Sequence, residues 1–432
     1  MTWLQRYRIW DYFRTSIWIL PSLGIFLAMG TVRILHGIEV EIGWKEDFDP
    51  STMMTVMGTL AASIFTLIVF VCSALLISVQ LASASLTPRY IGLVFKNPVI
   101  KYSLTLFVFT FMLTLGALLR IKGAVPTLTA YAAIYSCILS LIIFIYLVDE
   151  VGRSLRPSGA LKLVARLGRD VIKNVYPRLL SGSPDRLPEP QTILDQESRV
   201  TLLNQREGVV LAFDIEGLVQ LAQRADCVIE MIPQVGDFVA AHQPLFRIFG
   251  KGGRPQEASL YQSVAVGLER TLQQDPGFAL RILVDIASKG LSPAINDPTT
   301  AVQSIDQIQS LLRHLGSRCL GEGQRKDSQG VVRLIYRTPD WEDFVGLAVT
   351  EVRHFGGTSI QVARRLRALL ENLIQTLPEE RAAVLWIELN LLERSARRFF
   401  PDSEDLAMAD VSDFQGVGSK KVRNETRSGP GI

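Results

Sequence analysis

A line of hydroxyl side chains inside an apolar stretch is the first feature of the sequence that could act on a solute. Between Pro50 and Pro88 the chain contains no Asp, Glu, Lys, Arg or His. On a helix that turns about 100° per residue, a subset of the polar residues of this stretch falls within one arc of about 120°. This hydroxyl stripe comprises Thr55, Thr59, Ser63, Thr66, Ser73 and Gln80, with Phe70 and Ile77 interrupting it on the same face.

The hydroxyl stripe has two interpretations. As a pore lining, its hydroxyls would solvate an ion or small solute, and Phe70 or Ile77 would form an apolar constriction that gates by dewetting. Because a pore needs several copies of the helix, this interpretation predicts a homo-oligomer. As a packing face, the hydroxyls would bond to the carbonyl four residues earlier or to a neighbouring helix. The lack of charges in the stretch argues against a proton relay.

A second group of candidate residues lies at the start of a predicted helix in HFGGTSIQVARRLRALLENL. Amides at a helix N-terminus bind anions, and arginines nearby would strengthen such a site. The alternative interpretation is a loop, an N-cap and a basic face in water. The candidate anion site consists of Arg353, Gly357, Thr358, Ser359, Arg364 and Arg365.

Asp285 is a candidate buried acid. It lies in the middle of the predicted helix GFALRILVDIA, among apolar residues. Arg281 and Lys289 lie four residues to either side, which favours a surface ion pair. A desolvated carboxyl at this position would instead be a candidate functional acid.

The chain offers no pattern typical of a metal or cofactor site. Its four cysteines show no CxxC spacing, and its four histidines lie far apart. It has no Walker motif, no GxGxxG fingerprint and no GxSxG elbow. The formal net charge of +3 over 432 residues gives no basic excess for nucleic acid. We therefore expect no metal, no cofactor and no nucleic-acid partner, and we assign no catalytic residue.

Four apolar runs are long enough to cross a lipid bilayer, whose hydrocarbon core of about 30 Å needs roughly 20 helical residues. They cover residues 16–32, 56–79, 102–119 and 128–148. We therefore predict a membrane domain of four transmembrane helices over residues 1–150.

Lys and Arg are concentrated before the first run, between the second and third runs, and after the fourth. This pattern predicts a multi-pass protein of the bacterial inner membrane with both termini in the cytoplasm. Residues 151–180 follow as a basic amphipathic helix, whose charges either fix the topology or contact anionic lipids. The basic residues concerned are Arg153, Arg156, Lys162, Arg166 and Arg169.

The cytoplasmic part is predicted to be an α+β domain. Residues 181–255 contain short strand-like runs and indicate a small β-rich module, whereas 256–400 are predicted to be helical. Asp275 and Asp297 each precede a proline and are predicted to cap helices. The polar residues 401–432 are predicted to be a disordered tail.

Three segments carry a resemblance to a known family: SVQLASASLTPRYIG, QDPGFALRILVDIASKGLSPAINDPTTAVQSIDQI and VRHFGGTSIQVARRLRALLENL. With the order of the spans, they resemble a bacterial family of predicted membrane proteins of unknown function. The resemblance implies four N-terminal spans, a cytoplasmic region and a plasma-membrane location. It implies no activity and no functional residue.

The sequence thus leaves three functional hypotheses. The first is an oligomeric channel-like conduit for ions or small solutes, regulated by the cytoplasmic domain. The second is a membrane-anchored sensor or scaffold whose cytoplasmic domain binds a ligand or partner. The third is a membrane-anchored enzyme, which would require Asp285 or the Thr358–Arg365 region to lie in one convergent polar cleft.

Overall fold

The computed structural model describes residues 1–43, 48–121, 125–180, 200–250, 252–320 and 323–418. The chain divides into two compact units. One unit, Ile9–Ala160, contains the long apolar helices. The other combines Met1–Arg8 with Leu161–Ile432 and is called the C-terminal unit below.

Within its described residues, the membrane unit contains helices and connecting turns but no strand. Its helices are α1 (Trp3–Thr15, which begins in the other unit), α2 (Ile19–Ile42), α3 (Pro50–Ser85), α4 (Pro88–Val94), α5 (Pro98–Leu118) and α6 (Thr127–Leu155). Helices α2, α3, α5 and α6 are long and apolar enough to cross a membrane. The fold class of four N-terminal apolar helices followed by a mixed domain is therefore confirmed.

The spanning helices differ from the predicted runs at their ends because capping groups set where they begin. The Asp49 side chain accepts a hydrogen bond from the backbone nitrogen of Thr52, and Pro50 opens α3. Asn97 and Pro98 form the corresponding start of α5, with Val99 as the donor. Proline fits a first helical position because its missing N–H would have no partner there. The helix α3 therefore begins at Pro50, before the predicted apolar run of residues 56–79.

Small and hydroxyl residues bring the spanning helices together around α5. The Thr110 and Ser140 hydroxyls lie 2.9 Å apart between α5 and α6, and both residues are buried. A Cβ on Gly24 of α2 would lie 2.9 Å from the carbonyl oxygen of Thr105. The two backbones therefore approach too closely for a larger residue at Gly24, as expected of membrane helices held by packing.

The C-terminal unit is a mixed α and β domain. Its helices are α7 (Pro157–Val175, which begins in the membrane unit), α8 (Ile215–Ala225), α9 (Glu257–Tyr261), α10 (Pro276–Gly290), α11 (Pro298–Gly316), α12 (Trp341–Phe355), α13 (Ile360–Thr376), α14 (Ala382–Phe399) and α15 (Ser403–Ala409). Its strands are β1 (Val200–Leu203), β2 (Gly208–Phe213), β3 (Val228–Met231), β4 (Phe238–Val239), β5 (Pro244–Phe249), β6 (Val264–Gly267), β7 (Gln324–Lys326) and β8 (Val332–Tyr336).

The strands form a five-stranded sheet of order β1-β5-β3-β8-β7 and a three-stranded sheet of order β4-β2-β6. Strands β3 and β8 run parallel, with Ile229 opposite Leu334, whereas the other strand pairs are antiparallel. The predicted boundary at residue 255 therefore does not separate a β module from a helical region. Strands on both sides of it share one sheet, because the buried Ile229 and Leu334 belong to one core.

Two helices with aspartate caps form the centre of the helical part. Asp275 accepts a hydrogen bond from Phe278 N at 2.9 Å, and Asp297 accepts one from Thr300 N at 3.0 Å. The hydroxyl of Ser304 on α11 donates to the Leu283 carbonyl of α10 at 2.6 Å. The structure thus shows both aspartates in the capping geometry that the sequence predicts.

The tail differs from its prediction as a disordered segment. Residues 401–418 are ordered, with α15 capped by Asp402. Asp413 accepts hydrogen bonds from the backbone nitrogens of Gln415, Gly416 and Gly418. These local bonds and the buried Ala409 hold a stretch whose composition alone indicates disorder. Residues 419–432 lie outside the described part.

Candidate functional site

The hydroxyl stripe lies on the outer face of α3 within the membrane unit. All eight of its residues are exposed, whereas Met57, Ala61, Ile64 and Val71 on another face of the helix are buried. Each of its five hydroxyls donates to the carbonyl four residues earlier, at 2.8–3.0 Å. The helix itself thus satisfies these hydroxyl donors, so the stripe tolerates lipid as well as another helix.

The two apolar residues of the stripe are also exposed, although Phe70 is not isolated. Its ring lies 6.2 Å from that of Phe144 on α6, edge to face. Ile77 is 57% exposed. In the single chain, therefore, neither side chain narrows a passage, and a constriction would require further copies of α3.

The arginines of the candidate anion site do not converge on an open site. Arg353 pairs with Glu388 at 3.3 Å, and Arg365 pairs with Asp306 at 2.7 Å. Arg364 donates from Nε to the Val411 carbonyl at 3.1 Å. All three arginines are buried, so protein oxygens take the place that a bound anion would occupy.

The remaining residues of the candidate anion site also have local roles. Ser359 caps α13 by accepting a bond from Val362 N. A Cβ on Gly357 would lie 2.5 Å from the Phe399 ring, so the ring covers this glycine. Thr358 is exposed. These contacts match the alternative of a loop followed by an N-cap, except that the arginine face is buried.

Arg367 is a further buried arginine that the sequence did not single out. Its guanidinium lies 3.2 Å from Glu393 and 2.8 Å from Asp410. Since Glu393 lies on α14 and Asp410 follows α15, Arg367 connects three segments of the C-terminal unit. Arg365 and Arg367 of α13, both buried, thus link segments of the helical part through ion pairs with partly exposed carboxylates.

Asp285 belongs to a shared ion pair. Its carboxylate lies 2.8 Å from Arg281 Nε, and Arg281 also contacts both carboxylate oxygens of Glu351 at 2.7 and 2.9 Å. Hydrogen bonding to Glu351 raises the pKa of Arg281. Asp285 therefore lies beside a fixed cation, as expected of the ion-pair interpretation.

The basic residues after the fourth span are divided between paired and open positions. Arg153 pairs with Asp149 at 3.0 Å, and Arg169 donates to the Ser310 hydroxyl at 3.3 Å. Arg156, Lys162 and Arg166 are exposed, whereas Leu161, Val164, Ala165 and Ile172 of α7 are buried. The apolar face of α7 thus packs against protein and not into a bilayer, because a Cβ on Gly168 would meet Ala279 and Leu311.

A cavity of about 330 Å³ in the C-terminal unit is the feature that the sequence analysis missed. It is enclosed by the segment after α7, the end of β2, the turn after β3, the residues before α10, and the chain around β7 and β8. Its lining includes Tyr176, Phe213, Asp275 and Tyr336. Because these residues come from distant parts of the chain, no local motif marks the cavity.

Aromatic rings shape the cavity walls. The rings of Phe213 and Tyr336 lie 5.2 Å apart, edge to face, and Tyr176 contacts the Phe344 ring at 6.2 Å. The Gln274 side chain bonds to both backbone groups of Phe213, at 3.1 and 3.2 Å. These contacts hold the wall in place without a ligand.

Among the described lining residues, Asp275 carries the one carboxylate, and this carboxylate already has hydrogen-bond partners within the protein. Arg270 contacts Asp275 Oδ2 through Nε at 2.8 Å and Nη2 at 2.7 Å. Burial raises the pKa of Asp275, although Arg270 and the amides at the start of α10 oppose this effect. Burial also raises the pKa of Tyr176, so this phenol stays protonated at neutral pH.

The described residues contain no group of three or more His, Cys, Asp or Glu that could hold a metal ion. The cysteines are free, and Cys227 is buried in the core of the sheet. The only cysteine that lines the cavity is Cys319. Neither its position nor the other contacts in the described chain point to a cofactor.

The four long apolar helices and the mixed domain with its cavity define a multi-helix membrane protein with a folded extramembrane domain. The chain belongs to the family described as "Predicted membrane protein (DUF2254)", whose model matches residues 14–372. It is 27% identical over 423 residues to uncharacterised proteins of Mycobacterium bovis and Mycobacterium tuberculosis, covering 94% of this chain and 80% of each relative. No solved structure matches the chain. The resemblance inferred from the sequence is therefore confirmed.

Proposed function

We propose that the protein is a membrane-anchored ligand-binding protein, in which the C-terminal unit binds a small molecule and the spanning helices anchor it. The observation that carries the proposal is the cavity beside the start of α10. Its volume of about 330 Å³ lies within the range of about 300–1,000 Å³ usual for ligand pockets. Aromatic walls with a few polar groups are also typical of such pockets.

The contacts of the N-terminal segment support a shared side for the two ends of the chain. Leu4 N donates to the Gln262 carbonyl at 3.2 Å, and four candidate spans lie between these residues. An even number of crossings returns the chain to the same side. The excess of Lys and Arg at the flanks of the spans supports the cytoplasm of a bacterial inner membrane as that side. In this orientation the open Arg156, Lys162 and Arg166 would contact anionic lipids.

The test compares small molecules retained by three forms of the full-length protein in detergent. Val235→Trp places an indole in the cavity wall, since Val235 lines the cavity. Val331→Trp is the matched control, because Val331 is 44% exposed and lies outside the cavity. Each form is dialysed against a bacterial metabolite extract, and bound compounds are identified by mass spectrometry.

We expect at least one compound to be enriched on the wild type and on Val331→Trp but depleted at least about tenfold on Val235→Trp, which corresponds to roughly 1.4 kcal/mol. Identical profiles for all three forms would refute the proposal. Circular dichroism of the variants checks that the substitutions leave the fold intact.

A second candidate function is an oligomeric conduit for ions or small solutes, regulated by the C-terminal unit. The observation that favours it is the hydroxyl stripe of α3, whose eight residues all remain exposed although the Phe70 ring contacts that of Phe144 on α6. In a homo-oligomer, copies of this face would surround a path free of ionisable groups. Phe70 would then form an apolar constriction in that path.

Flux from proteoliposomes tests the conduit. Phe70→Ser should raise the flux of small ions above that of the wild type, because it removes an apolar barrier. Phe26→Ser is the matched control, since Phe26 is an exposed phenylalanine on α2 and should have no effect. Flux equal to that of empty liposomes for both the wild type and Phe70→Ser would exclude the conduit. Native mass spectrometry would give the number of subunits.

A further inference from the structure

We infer that the cavity takes a small organic anion with a flat apolar body, such as an aromatic carboxylate or phosphate. This inference rests on the proposed ligand-binding function and specifies the chemical class of the ligand. It follows from the charges that line the cavity, the rings in its walls, and the open position of Arg337.

The charges around the cavity favour an anion. Arg178, Arg325 and Arg337 line it, and Asp275 is the one acidic residue among the described residues of the lining. Asp275 is already bonded to Arg270 and to the Phe278 amide. Its negative charge is therefore committed to protein partners, whereas Arg337 forms no ion pair within the described chain. A cationic ligand would meet repulsion, whereas an anion would be attracted.

The walls favour a flat apolar body. Tyr176, Phe213 and Tyr336 are almost fully buried, and all three line the cavity. Aromatic faces prefer offset-stacked or edge-to-face contacts with another ring. The cavity volume is near the lower end of the usual range for ligand pockets, which selects a small molecule over a polymer or an acyl chain of full length.

Arg337 is the residue best placed to recognise the anionic group. It follows β8 directly, so the strand fixes its backbone beside Tyr336. Its side chain is exposed, and within the described chain it forms no ion pair. Arg325, by contrast, lies 5.8 Å from the centre of the Tyr336 ring. A planar guanidinium binds carboxylate and phosphate through two parallel hydrogen bonds, which an ammonium does not reproduce.

Three matched probes test the inference on the full-length protein in lipid nanodiscs. The probes are 2-naphthoate, its neutral analogue 2-naphthamide, and cyclohexanecarboxylate, which keeps the charge but lacks the aromatic ring. Equilibrium dialysis measures binding to the wild type, and empty nanodiscs correct for partition into lipid. The variants are Arg337→Gln, Arg337→Lys and Val235→Trp, and Arg398→Gln serves as the control because Arg398 is exposed outside the cavity.

We expect 2-naphthoate to bind the wild type and Arg398→Gln equally. Arg337→Gln should weaken this binding about tenfold, as loss of a charge-assisted hydrogen bond implies. The affinity of Arg337→Lys for 2-naphthoate should lie between those of the wild type and Arg337→Gln. Val235→Trp should abolish the binding. Both 2-naphthamide and cyclohexanecarboxylate should bind the wild type at least about tenfold more weakly than 2-naphthoate.

Each contrary result overturns a defined part of the reasoning. The wild type could bind 2-naphthamide as tightly as 2-naphthoate, with Val235→Trp abolishing the binding of both. This result would overturn the anionic class of the ligand but would leave the ligand-binding function standing. Equal binding of cyclohexanecarboxylate would overturn the aromatic class. If none of the probes binds the wild type above Val235→Trp, the inference is wrong, while the metabolite comparison decides separately on ligand binding.

Discussion

Substitution of Arg353 distinguishes a structural ion pair from an anion site. Arg353 and Glu388 join α12 to α14 at 3.3 Å, with side chains only 8% and 9% exposed. Arg353→Met removes the cation and leaves the Glu388 carboxylate buried without its partner. Breaking a buried pair in this way costs about 3–5 kcal/mol, whereas replacing both partners with apolar residues is often neutral or stabilising.

Hydrogen exchange of the full-length protein in detergent measures this cost locally. Mass spectrometry follows peptides from α12 and α14 under conditions in which the exchange rate reports the opening free energy. A loss of 3–5 kcal/mol corresponds to faster exchange by about two to four orders of magnitude. The double variant Arg353→Met/Glu388→Met should recover most of this protection.

Two results would contradict the structural role of the pair. One is exchange in Arg353→Met that stays within about threefold of the wild type, which is below 1 kcal/mol. The other is a double variant that exchanges as fast as the single variant. Arg397→Met is the matched control: Arg397 is exposed on α14, and surface substitutions usually change stability by less than about 0.5 kcal/mol.

Two further predictions concern packing and pH. Gly168→Val should destabilise the C-terminal unit by about 1–3 kcal/mol through overpacking. The reason is that a Cβ at this position would lie 2.8 Å from Ala279 and 3.1 Å from Leu311. Unchanged protection of α7 from hydrogen exchange would show that α7 does not pack against these residues. Burial raises the pKa of Asp413, but bonds from Gly418 and two other amides outweigh it and lower the pKa overall. Because the pKa of Asp413 is lower in the folded protein than the unfolded value of about 3.9, its ionised carboxylate stabilises the fold above that pH. Protection of residues 402–418 from hydrogen exchange should therefore fall as the pH drops below about 4. Asp413→Asn should remove this pH dependence.

The sequence predicted the spanning helices because their signal is local and strong. A run of apolar residues long enough to cross a bilayer has few alternative structures. The aspartate caps before Pro276 and Pro298 were predictable for the same reason, since a cap involves only the first turn of its own helix. The ends of the spans were less predictable, because Asp49 and Asn97 set them outside the apolar runs.

The features that the sequence could not predict depend on partners far along the chain. Arg365 and Asp306 are 59 residues apart, and an arginine on an amphipathic helix gives no sign of whether water or a carboxylate will meet it. The parallel pairing of β3 with β8 joins segments about a hundred residues apart. The cavity depends on this long-range placement of β8, whose end brings Tyr336 to Phe213.

The arginines of the C-terminal unit show why a functional site must be judged from partners and not from charge alone. The motif around Gly357 placed arginines near a helix start, where an anion site is a reasonable hypothesis. Arg353 and Arg365 nevertheless face protein carboxylates, and an anion there would have to displace an existing ion pair, which at Arg353 is buried on both sides. Arg337 belongs to no comparable motif, yet it is exposed in an aromatic cavity whose one acid, among the described lining residues, is already paired. An incoming anion would therefore gain a new charge pair at Arg337, whereas at Arg353 it would only exchange one for another.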